Sequence, residues 1–125
     1  MSIIIESFLQ LQTIVRLYHW KTKSYPRHIA SGTLYEKLDP LIDSFIEIYQ
    51  GKMNGKEKRI RYKPFKITYR EVDEKKIVSV LESFKVFLLT DLDKLLQKMR
   101  NTDLFNIRDE MLAEMNQTLY LFTLQ

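Results

Sequence analysis

The sequence has no cysteine. That removes disulfides, thiolate metal sites and a thiol nucleophile, and is compatible with a reducing interior. Glycine and proline are scarce, three of each in 125 residues, whereas Leu, Ile, Lys and Glu are plentiful; this balance favours helices. Long apolar runs are also missing, and none reaches the roughly 18 residues that a membrane span needs. The opening MSIIIESFLQLQTIVRLYHW is interrupted by Glu6, Gln10 and Gln12 and lacks a basic leader and a small-residue cleavage site, so no secretory signal is expected. A soluble, cytoplasmic protein with no membrane partner is expected, folded as a single domain over 1–125.

Acidic residues are nearly absent from one segment. Between Lys52 and Arg70 stand eight basic residues and one acidic, while the rest of the chain carries twelve basic and fifteen acidic. The overall charge of +4 therefore comes from a single stretch, in which Lys56, Lys58, Arg59, Arg61, Lys63, Lys66 and Arg70 interleave with Tyr62, Phe65 and Tyr69. Cations alternating with aromatic rings suit a nucleic-acid strand; a solvated connector has the same composition.

Apolar spacing sets out four helices. The first is predicted over about Ser2 to Lys23, with Ile4, Phe8, Leu11, Val15 and Tyr18 as one stripe. KSYPRH breaks the pattern, and a second helix is predicted from Pro26, burying Tyr35, Leu38, Ile42, Phe45, Ile46 and Tyr49 before Gly51. Pro40 within it should kink the helix or restart it with Asp39 as cap. From Lys52 to about Val72 there is no helical period, and the alternation of Phe65, Ile67 and Tyr69 allows an edge strand. A third helix is predicted from an Asp73 cap to about Arg100, with Ile77, Val80, Leu81, Phe84, Leu88, Leu92, Leu95 and Met99 inward. The fourth begins at Thr102 or Asp103 and buries Leu104, Ile107, Met111, Met115, Leu119 and Phe122. Matched helices of roughly 33 to 42 Å suit an all-α, antiparallel four-helix bundle made of two hairpins, with a longer connection between the second and third helices.

Little of the usual catalytic vocabulary is present. The internal di-iron site of helical bundles needs Glu-x-x-His pairs, but Arg16 stands three residues before His19 and Tyr25 three before His28. No GxGxxG, Walker loop or nucleophile elbow occurs. What remains are the two histidines, His19 and His28, and a row of carboxylates on the second helix. Asp39, Asp43 and Glu47 are spaced four apart on one ridge, with Glu36 beside them. Like charges on a ridge repel; a bound cation or plain solvent relieves them. His28 and Asp43 are fifteen residues apart, about 22 Å along a straight helix, too far to share an ion within one chain. A two-fold axis through the second helix would bring His28 of one chain to Asp43 and Glu47 of another, twice.

His19-Trp20, His28, Asp43 and Glu47, with the spacing H-x14-D-x3-E, resemble the inter-subunit ferroxidase centre of the Dps family, the mini-ferritins. The likeness is strongest from Leu17 to Gly51; beyond that it is one of helix length and order. It implies a ferritin-like bundle, a homodimer through the second helix or a higher oligomer, and iron or another divalent metal such as zinc or manganese. His19, His28, Asp43 and Glu47 would be the ligands, Trp20 would pack beside the centre, and Fe²⁺ would be oxidised by peroxide or oxygen. The chain departs from the family in three ways. Its turn between the histidines is three residues shorter, Gly32 stands where a further acidic ligand often does, and a lysine-rich N-terminal tail is missing. Short Dps-like proteins of the kind some large DNA viruses encode fit this outline better than full-length bacterial members. Two other functions fit the residues as well: a metal-free helical scaffold, and a nucleic-acid-binding protein acting through the basic segment.

Overall fold

The structure, a computed structural model, describes residues 2–52, 64–67, 71–97 and 101–124. Among them every regular element is a helix: α1 (Ser2–Lys21), α2 (Tyr25–Lys52), α3 (Glu74–Leu89), α4 (Asp91–Gln97) and α5 (Thr102–Thr123). One apolar core joins them, with Phe8, Val15, Leu38, Phe45, Leu81, Leu88, Leu104 and Met111 fully inaccessible to solvent. The fold is an all-α helical bundle.

Side-chain pairs give the direction of each helix. Phe8 meets Phe45, and Gln12 donates to Asp39 at 2.9 Å, so α1 and α2 run antiparallel. Phe8 also packs on Phe84, while Tyr18 bonds Glu74, so α3 too is antiparallel to α1. Arg27 lies over Phe122, and Lys52 pairs with Asp103 at 2.7 Å, which makes α5 antiparallel to α2. The end of α2 and the start of α3 therefore lie at opposite ends of the bundle. The connection between them lies largely outside the described residues; a bundle of two hairpins needs a long crossover at this place.

Local chemistry explains where α3 begins. Asp73 caps α3, its carboxylate accepting from the amides of Lys75 and Lys76 at 3.1 and 2.7 Å, as its sequence position suggests. Pro40 neither divides nor restarts α2, which runs unbroken through it. Asp39 is not a cap; it faces α1 and pairs with Arg16 at 2.5 Å. The predicted third helix is interrupted at Thr90. There the Thr90 hydroxyl bonds the Val86 carbonyl at 2.7 Å, and Arg108 of α5 donates to the Leu88 carbonyl at 3.3 Å and to Asp93 at 2.8 Å. Beyond the break the buried residues are Leu92 and Leu96, whereas the uninterrupted period selects Leu95. The possible edge strand falls partly on 64–67, which is irregular, and otherwise outside the described residues, as does Met99.

Candidate metal centre

The short turn between α1 and α2 folds the histidines onto each other. His28 Nδ1 bonds the His19 carbonyl at 2.8 Å, and His19 Nδ1 bonds the His28 carbonyl at 2.7 Å. The imidazoles stack with centroids 3.9 Å apart and planes 13° from parallel. A carbonyl can only accept, so each Nδ1 carries a proton, and in the neutral ring Nε2 is the atom that holds the lone pair. The His19 carbonyl lies in the last turn of α1, where carbonyls lack helical partners, and His28 satisfies it. Ser31, fully buried, supports the pair: its hydroxyl donates to the Arg27 carbonyl at 2.7 Å and lies 3.3 Å from His19 Nδ1. Tyr35 packs edge-on against His19.

Gly32 has a role that its place in the motif does not suggest. A Cβ built there would lie 2.8 Å from His19 Cε1 and 3.2 Å from Nδ1, closer than packed atoms tolerate. An acidic side chain at this position and the observed seat of the His19 ring exclude each other. The absence of a side chain at Gly32 is what makes room for the imidazole.

The carboxylates are elsewhere. Asp43 and Glu47 are exposed on α2 and make no hydrogen bond or ion pair among the described residues; Glu36 is likewise exposed. Asp39 leaves the ridge for Arg16 and Gln12. No group of three or more histidine and carboxylate side chains is close enough to hold a metal ion among the described residues of one chain. The nearly parallel rings add a condition, because lone pairs lying in parallel planes do not converge on one point. A shared ion needs one imidazole to tilt out of the stack. Trp20 is 69 % exposed and Tyr25, whose ring lies 6.4 Å from that of His28, is 73 % exposed. Most of the Trp20 surface is thus open to solvent within one protomer.

Sequence reading missed Arg27, which ties this end of the bundle together. Its guanidinium donates to the Glu74 carbonyl at 2.7 Å and the Phe122 carbonyl at 3.3 Å, pairs with the Glu74 carboxylate at 3.1 Å and covers the Phe122 ring. It thus satisfies the C-terminal end of α5, where a cation is favoured. Beside it the buried Tyr18 hydroxyl donates to Glu74. Burial first, and that bond second, push the phenol above its ordinary value. The only sequence signal was an arginine one turn into a helix, a pattern shared by many surface residues.

Of the basic segment, Lys66 is exposed; Lys56, Lys58, Arg59, Arg61, Lys63 and Arg70 lie outside the described residues. No helix among the described residues is long and apolar enough to cross a membrane. No curated protein and no solved structure matches the chain. The model of one family, described as a family of unknown function (DUF5856), matches residues 19–122, a span that opens on His19 and takes in His28, Asp43 and Glu47, and the chain belongs to that family.

Proposed function

We propose that the chain is a Dps-like metal-binding protein whose site is completed across a two-fold dimer. The observation that carries this reading is the reciprocal pair of Nδ1–H···O=C bonds, which leaves both Nε2 lone pairs available. Metal-binding histidines are commonly oriented in this way, the second nitrogen donating to a carbonyl or carboxylate. Asp43 and Glu47, exposed and unpaired among the described residues, supply the charge that two imidazoles lack. The antiparallel topology with one long crossover is compatible with a ferritin-like bundle. Exposed Trp20, Tyr25 and Ile29 flank the histidines, as apolar residues destined for a partner's surface do. Nitrogen and oxygen donors together suit Fe²⁺, Zn²⁺ or Mn²⁺; with Fe²⁺ as substrate, peroxide or dioxygen would take its electron.

Metal content and native mass, measured together on protein purified without chelator, test the proposal. The expected result is a dimer or larger oligomer carrying iron or zinc at a near-integral ratio per subunit. A strict monomer at micromolar concentration overturns the cross-chain site. A metal-free oligomer favours the second reading, a scaffold, for which the histidine pair is already complete as a hydrogen-bonded tie between α1 and α2.

A further inference from the structure

The helix pair α1 and α3 meets at Phe8, Phe84 and Phe87 and leaves a groove of about 280 Å³ beside that contact. Its floor is apolar, formed by Leu11, Val80, Phe84 and Phe87. Its polar rim consists of Gln10, Lys76, Ser79 and Ser83, whose side chains have no hydrogen-bond or ionic partner among the described residues. The remaining hydroxyl, on Ser7, is spent on the Ile3 carbonyl at 2.8 Å. Among the described residues Lys76 is the sole charged one lining the groove.

The antiparallel helices order these groups along a line. With Tyr18 opposite Glu74 and Phe8 opposite Phe84, Lys76 and Ile14 mark one end, and Phe87 and Ser7 the other. Beyond Phe87 the apolar character continues onto exposed Ile3 and Val86. Lys76 lies in the first turn of α3, where the helix dipole adds to its positive charge, and Ser79 is one turn further on the same face. From Lys76 to Phe87 the helix advances about 16 Å.

We propose that this groove binds a free carboxylated amphiphile, a medium-chain fatty acid. Its carboxylate pairs with Lys76 and accepts from the Ser79 hydroxyl, and its chain lies over Val80 and Phe84 toward Phe87. One ammonium at one end of an apolar trough complements a ligand with one anionic head and one apolar tail. Binding sites of this kind are mostly apolar, with a few placed polar groups that fix orientation.

Calorimetric titration of the full chain with dodecanoate, below its micellar concentration, tests the inference, with dodecyltrimethylammonium as the cationic control. The expected result is saturable binding of one dodecanoate per chain and none of the cation. Lys76→Met should weaken binding by about tenfold or more, the loss of one charge-assisted contact. Ser83→Trp should fill the groove and abolish binding with the circular dichroism unchanged; if that variant unfolds, Lys76→Met decides. The inference falls if dodecanoate does not saturate, if the cation binds as well, or if Lys76→Met binds like the wild type.

Discussion

At Gly32 the absence of a side chain decides where an imidazole sits. Gly32→Ala gains about 1 kcal/mol of helix propensity and loses roughly 1–3 kcal/mol to overpacking against His19, so the net loss of stability should lie between about zero and 2 kcal/mol. The site should change far more. Long-range ¹H–¹⁵N spectra of the wild type should show both histidines as the Nδ1–H tautomer, and Gly32→Ala should move the His19 signals out of that pattern. An Nε2–H tautomer at either ring in the wild type would remove the basis for a metal site there. Tyr18 offers a second residue-scale test. Its hydroxyl titrates higher when folded, because of burial and then the Glu74 bond. The folded state therefore prefers the protonated phenol, and this contribution is complete below the unfolded value of about 10. It disappears as pH rises through the folded value. Tyr18→Phe should start less stable by about 1 kcal/mol at neutral pH and lose less between pH 9 and 11, as measured by urea midpoints. Parallel curves for the two proteins would show that Tyr18 does not carry the alkaline sensitivity.

Helices differ in how openly the sequence announces them. The buried stripe of α1 and the Asp73 cap were readable because spacing and capping act within a few residues of themselves. The break at Thr90 was not, since the apolar period continues across it and one cause, Arg108, comes from another helix. Pro40 shows the converse: a local rule allowed a kink or a restart, and the restart does not occur, because packing of Leu38, Ile42 and Phe45 holds α2 together through it. At the candidate centre the ligand types were legible, but the stack of His19 on His28 depends on a reciprocal pair of long-range bonds and on the space at Gly32. These observations make Arg108 the element to test. Burial works against its charge, but hydrogen bonds to Asp93 and Asp109 outweigh it and hold the guanidinium more firmly protonated than usual. Arg108→Ala would leave the Leu88 carbonyl without its side-chain donor and the half-buried Asp93 with Gln97 alone, at a cost of about 1–3 kcal/mol. Arg108→Lys should recover only part of this, because an ammonium cannot span both acceptors as a planar fork does. Hydrogen exchange should quicken most in α4. Uniform quickening across all helices would mean that Arg108 supports the bundle generally and not the break.

For the whole molecule, the central question is whether the histidines and the acidic pair belong to one site or to none. Within one chain His28 and Asp43 are fifteen residues apart on a continuous α2, about 22 Å, and no packing change in that helix brings them together. An isologous dimer does so twice, each site taking the histidines from one chain and Asp43 with Glu47 from the other. His28→Ala and Asp43→Ala homodimers should therefore each lose metal at both sites. In a mixed dimer of the two variants, one site carries both lesions and the other is wholly wild type. Co-expression should restore one occupied site per dimer, half the wild-type metal content, when heterodimers are isolated by two affinity tags. No other arrangement of these ligands gives recovery from two inactive parents. If verified heterodimers stay empty while the wild type binds metal, the cross-chain site is wrong and the ligands are a different set, within one chain or elsewhere. If the wild type binds none, the histidine stack serves as a tie between α1 and α2.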